Sequence, residues 1–190
     1  MKTRNIFKKS ATTRNFLALL TVGLLTLSCS DDDDNPVAVD EEEVITTMTI
    51  TLTEGSNTVT LETKDLDGDG PDAPVITTGN LTANTTYTGA IVLLNETETP
   101  PENITLEVAE EDDEHQFFFD ASGAVTSVTY NDEDGDGNPL GLSFTLSTGD
   151  AGTGALRVTL RHEPKKPNDG TLADAGGETD IAQSFNVVVE

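Results

Sequence analysis

The sequence predicts a mainly all-β domain, an antiparallel β-sandwich of immunoglobulin-like or related Greek-key type, with one short helix. Three observations lead there. From residue 44 onward, short runs alternate apolar and polar residues with a period of two. Clusters of Gly, Asp, Asn and Pro divide these runs at turn-like intervals. A helical rhythm shows only around 104–113.

The sequence before that body is of another kind. Residues 2–14 hold Lys2, Arg4, Lys8, Lys9 and Arg14 and no acid. Residues 16–27 are apolar, but the run is short of the roughly 20 residues that a membrane span needs. It ends at Ser28 and Cys29, the only cysteine of the 190 residues. This is the order of a lipoprotein signal, although Thr26 stands where Leu is usual. Residues 1–28 are expected to be removed as a signal peptide, and Cys29 to carry the lipid (acyl chains such as palmitate). Residues 29–43, with Ser30-Asp-Asp-Asp-Asp34 and Glu41-Glu-Glu43, repel themselves and are expected to form a disordered acidic linker. Residues 44–190 then make a single β-sandwich domain.

Five of the ten Lys/Arg lie in the leader with none of the 35 acids, so residues 29–190 carry a formal charge of −30. Such a polyanion repels nucleic acid and anionic lipid heads, and suits hard cations with oxygen ligands. Membrane attachment would rest on the lipid of Cys29. One cysteine allows no intramolecular disulfide, so stability must come from the core and from any bound ion.

Within the body, Thr46, Met48, Ile50 and Leu52 share one parity and alternate with threonines. After the turn Glu54-Gly-Ser-Asn57, Thr58–Thr63 returns with Val59 and Leu61 inward, making a hairpin. Val75–Thr78 is a short strand. Thr85–Leu94 has apolar residues on both parities, which predicts a central strand covered on two faces. Asn103 caps a helix over 104–113, where Ile104, Val108 and Glu111 are helically spaced. Its acidic last turn opposes the helix dipole and asks for a partner or ion nearby. His115–Asp120, Val125–Tyr130, Leu140–Ser147, Leu156–His162 and Ile181–Val189 follow as strands. The stretch 163–180, rich in Pro and Gly, is a long loop of the functional or mobile sort.

Two loops repeat a cation-binding theme. Asp65, Asp67 and Asp69, and again Asp132, Asp134 and Asp136, occupy positions 1, 3 and 5 before a glycine at 6, a spacing that can wrap calcium. Position 12 is Ile76 in one and Ser143 in the other, so neither is an EF-hand. Plain acidic turns explain the same residues.

The histidines form a second theme. His115 shares parity with Phe117 and Phe119, and His162 with Leu156, Val158 and Leu160, which puts both imidazoles on inward faces at strand ends. Glu114 and Glu163 adjoin them, and Glu111 precedes His115 by about one helical turn. Two imidazoles with carboxylates suit zinc, copper or iron, two histidines alone suit the axial pair of a haem, and hydrogen-bonded edge histidines are the plainer alternative. Arg157, Arg161, Lys165 and Lys166 gather around His162. They would neutralise the acidic run 107–114 or contact an anionic ligand or partner, haem propionates included. No nucleophile elbow, phosphate-binding loop, HExxH or CxxC occurs, which predicts a protein that is not an enzyme.

Asp65-Leu-Asp-Gly-Asp-Gly-Pro, Leu81-Thr-Ala-Asn-Thr-Thr-Tyr-Thr-Gly89, Leu94-Asn-Glu-Thr97, Glu114-His-Gln-Phe-Phe118, Asn138-Pro-Leu-Gly141 and Leu160-Arg-His-Glu-Pro164 together resemble a family. It is a group of small Flavobacteriia lipoproteins, within the Bacteroidetes, often labelled type 1 periplasmic binding fold proteins. The likeness spans about 44–189. The acidic run after Cys29 resembles the signal that favours surface export in that phylum. The resemblance implies a lipoprotein, outer-membrane anchored and displayed at the cell surface, working beside a TonB-dependent receptor. The label's fold alternates β and α over two lobes, whereas this chain's pattern and length predict the sandwich. Two functions follow. One is capture of a metal ion or metal complex for such a receptor. The other is a calcium-stabilised surface module that binds a protein or glycan.

Overall fold

The computed structural model describes residues 43–68 and 70–190. The leader, Cys29, the linker up to residue 42 and Asp69 lie outside the described residues. The alternating runs form β1 (Thr47–Glu54), β2 (Asn57–Lys64), β3 (Val75–Thr78), β4 (Thr86–Leu94), β5 (His115–Gly123), β6 (Val125–Tyr130), β7 (Ser143–Thr148), β8 (Gly152–His162) and β9 (Glu178–Val189). Helix α1 (Ile104–Glu110) joins β4 to β5, and α2 (Leu172–Ala175) lies between β8 and β9. The strands build two antiparallel sheets, one ordered β3-β2-β1-β4-β7-β6 and the other β5-β8-β9.

Local chemistry accounts for these elements. The β1–β2 hairpin pairs Glu54 with Asn57 across Gly55-Ser56, and Gly55 takes the left-handed φ of 56° that a primed hairpin turn needs. Asn103 caps α1 by accepting a hydrogen bond from the Thr105 amide at 3.2 Å. The Thr105 hydroxyl in turn accepts from the Leu93 amide at 2.8 Å, docking the helix on β4.

One core joins the sheets. Met48, Ile50, Leu61, Leu93 and Phe144 of the larger sheet are buried in the same cluster as Phe117, Leu156, Val158, Leu160 and Phe185 of the smaller. Burial of this apolar surface is the main driving force for the fold. Gly89 lies opposite Phe144, whose ring fills the space where a side chain would stand.

Two sequence expectations change here. β4 is central in its sheet, yet only Tyr87, Gly89, Ile91 and Leu93 are buried, while Ala90 and Val92 face solvent. Its two-sided apolar pattern therefore does not mean two-sided cover. The helix stops at Glu110 and not at 113, because Glu111 caps it and 111–114 turn into β5. The long loop after β8 is held to the body: Asn168 Nδ2 donates to the buried Gln116 Oε1 at 2.7 Å, and the Lys165 amide donates to the Ala175 carbonyl.

Candidate metal centre

β5 starts at His115 and β8 ends at His162, and the register sets the two residues directly opposite each other. Both side chains point to the core face, as their parity with Phe117 and Leu160 requires. The imidazoles stack with centroids 4.7 Å apart and planes 15° from parallel. Each is fixed by its flanks. The Glu111 carbonyl at the end of α1 lies 3.1 Å from His115 Nδ1. Glu163, at φ 48°, ends β8, and its amide donates to the Glu114 carbonyl at 2.7 Å. Gly177, at φ 68°, brings its backbone so close to His162 that a Cβ would stand 2.3 Å from the His162 carbonyl oxygen.

The acid that meets this pair is Glu43. Its Oε1 is 2.9 Å from His115 Nε2, and its Oε2 is 3.9 Å from His162 Nδ1. The three side chains are 7%, 0% and 10% exposed for Glu43, His115 and His162. One ligand atom from each lies within 4.8 Å of the others.

Proton bookkeeping shows what this geometry asks for. A neutral imidazole carries one N–H, and the Glu111 carbonyl can only accept, so that proton belongs on His115 Nδ1. Nε2 is then left without a proton, 2.9 Å from a carboxylate oxygen to which no hydrogen bond joins it. Neither His115 Nε2 nor Glu43 Oε2 has a hydrogen-bond partner. Two buried acceptors facing one another are costly unless a cation or a second proton stands between them. A metal ion meets the demand, and a histidine whose other nitrogen donates to a backbone carbonyl is the usual metal-bound arrangement. Tetrahedral zinc with bonds near 2.0–2.1 Å sets its ligand atoms about 3.3 Å apart, and the two Glu43 distances bracket that value. The surroundings are anionic: burial and the charges of Glu102, Glu43 and Glu111 push the Glu107 carboxyl up. This buried triad could hold a metal ion.

The other predicted residues lie elsewhere. The side chains of Glu111, Glu114 and Glu163 are exposed, and the first two serve the pair through backbone carbonyls while Glu163 serves through its amide. Glu43 falls within the predicted linker, and nothing in the run Glu41-Glu-Glu43 sets it apart except its position beside Val44 and Ile45. A haem does not fit. Axial ligands take opposite faces of a macrocycle, and stacked, buried rings 4.7 Å apart leave no slot for one.

The second acidic loop is closed by the protein's own donors. Asp132 accepts from the amides of Gly141 and Ser143 at 2.7 and 2.8 Å. Asp134 accepts from the amides of Asp136 and Asn138, from Asn138 Nδ2 and from Lys166 Nζ. Burial pushes the Asp134 carboxyl up, but the Asn138 and Lys166 hydrogen bonds, with that of the Asp136 amide, outweigh it and hold the pKa at about 2. Calcium would have to displace a lysine there. In the first loop, Asp67 accepts from the Asp72 amide at 3.2 Å and Asp65 donates its amide to the Thr46 carbonyl, with Asp69 outside the described residues.

The basic strip is largely spent inside the protein. Lys166 is paired with Asp134 and donates to the Asp112 carbonyl, Lys165 pairs with Asp174 at 2.8 Å, and Arg161 donates to the Gly177 carbonyl. Arg157 stands apart from these.

Comparison with family models, curated proteins and solved structures gives no match.

Proposed function

We propose that this is a non-enzymatic, lipid-anchored envelope protein that binds a transition-metal ion through Glu43, His115 and His162. The observation that carries the reading is the buried convergence of Glu43, His115 and His162, with His115 Nε2 2.9 Å from the Glu43 carboxylate and no hydrogen bond between them. Zinc suits the set of two imidazoles and one carboxylate, which leaves the fourth tetrahedral position open. Copper and iron share the same donors. The leader and Cys29 support anchoring at the outer membrane, and the resemblance to Flavobacteriia lipoproteins supports work beside a TonB-dependent receptor. The ion would be cargo captured for that receptor.

Calorimetric titration of the purified chain with zinc, copper(II) and iron(II) tests this. One equivalent should bind, and His115→Ala, His162→Ala and Glu43→Gln should each weaken binding by about 100-fold or more, since even outer-shell changes cost 10–100-fold. Retention of full affinity in both histidine variants would sink the proposal.

A further inference from the structure

The outward face of the β5–β8 pair, opposite the core, sets Asp120 across from Arg157 and Phe118 across from Thr159. Gly170, Thr171 and Leu172 border the same space, and together they line a half-open cavity of about 310 Å³. That size stands at the small end of the roughly 300–1,000 Å³ of small-molecule sites.

Its lining is unsatisfied. Thr159 is only 3% exposed as a residue and lines this space, and its hydroxyl makes no hydrogen bond among the described residues. Arg157 likewise makes no ion pair or hydrogen bond among the described residues, in a chain with 35 acids and only 10 Lys/Arg. Lys64, Lys165 and Lys166 each hold a carboxylate. Asp120 faces Arg157 in register without pairing to it, although opposite charges so placed ordinarily meet. Phe118 and Leu172 add apolar walls.

We infer that this cavity binds a small zwitterion with an apolar body, of the α-amino acid class. Arg157 takes the carboxylate through two parallel N–H bonds, Asp120 takes the ammonium, and the Thr159 hydroxyl bonds whichever head group lies above it. The apolar side chain rests on Phe118 and Leu172. A simple carboxylate would satisfy Arg157 but add negative charge beside Asp120, and a simple amine would do the reverse. Only a ligand with both charges satisfies both residues. The site lies on the other face of the sheet from His115 and His162 and does not depend on a bound metal.

Calorimetry of the full chain with L-phenylalanine and L-leucine, against 3-phenylpropionate and phenethylamine, tests the inference. Saturable one-to-one binding of at least one amino acid is expected, with each single-charge analogue weaker by about tenfold or more. Arg157→Ala and Asp120→Asn, both at exposed positions, should each cost a similar factor. Thr159→Val keeps the shape and should cost about fivefold, the worth of one hydrogen bond, with circular dichroism unchanged. Absence of saturable binding of either amino acid up to about 10 mM, where even a weak millimolar site would show, overturns the inference. So does unchanged affinity in Arg157→Ala, or single-charge analogues that bind as well as the amino acids.

Discussion

His115 and His162 close the β5–β8 ladder as a directly opposed pair, with one nitrogen of each turned toward the carboxylate of Glu43. The register does this work. A slip of one residue would turn one imidazole to the outer face, because strand side chains alternate with a period of two. The third group comes from outside both strands, just before β1. Two ligands are therefore fixed by a sheet, and one arrives on the chain that enters the domain.

Metal binding should stabilise the fold. A ligand at 100 times its dissociation constant adds about 2.7 kcal/mol to a native state that alone binds it. For a domain of this size that corresponds to a rise in melting temperature of roughly 5–10 °C. Differential scanning calorimetry with zinc should show this rise, EDTA should reverse it, and His162→Ala should be blind to both.

Zinc should also tie down the entry to β1. Only Glu43 joins that stretch to the triad, while Thr46 is already held by its bond to the Leu94 carbonyl at 3.0 Å. Amide exchange at Val44 and Ile45 should slow by about tenfold or more with zinc, in line with local opening being the least stable part of a fold. Glu43→Gln should remove the zinc effect on these amides. Equal exchange with and without zinc would mean that Glu43 is not a ligand.

The origins of the legible and illegible parts differ. The sandwich could be read because each strand carries its own alternation, as in Met48, Ile50 and Leu52, and turns such as Gly55-Ser56 punctuate it. The inward placement of His115 and His162 followed from the same parity. Their meeting did not, since the register of β5 on β8 joins residues 31 to 47 positions apart in the chain. Glu43 was hidden among like acids. Glu114 and Glu163 adjoin the histidines in sequence, but adjacent strand residues point to opposite faces, and Glu111 at the end of α1 meets His115 through its carbonyl and not its side chain. The Asp-Gly loops misled for a related reason: spacing shows where carboxylates gather, and not that Asn138 and Lys166 already occupy them.

Asp134 should make acid stability pH-dependent in a defined window. Its native pKa is lowered from an ordinary 3.8 to about 2. A depressed carboxyl contributes stability that is complete above the unfolded-state value and is lost as pH falls through about 2, on the order of 2 kcal/mol in all. Urea titrations at pH 2, 3, 4 and 7 should show wild type losing stability relative to Asp134→Asn as pH falls from 4 to 2. At pH 7 the variant should be weaker by roughly 3 kcal/mol, because Lys166 is left buried without its charge partner.

Gly89→Ala should destabilise the core. The new methyl would stand 2.4 Å from the Phe144 ring, in the middle of β4. Overpacking of this kind costs about 1–3 kcal/mol, readable as a lower urea midpoint with zinc affinity little changed.

Gly177→Ala should act on the metal centre without touching a ligand side chain. At φ 68° a Cβ is unfavourable by about 1–2 kcal/mol in any surroundings, and here it would also press within 2.3 Å of the His162 carbonyl oxygen. The end of β8 must shift, taking the imidazole with it. Gly170 supplies the control: its φ is 85°, but nothing lies within 4 Å of its missing Cβ. Both alanine variants should lose stability by a similar conformational cost, while only Gly177→Ala should weaken zinc binding, by about 10–100-fold as for other positioning groups. Equal zinc affinity in the two variants would show that the close approach at His162 does not hold the ring in place.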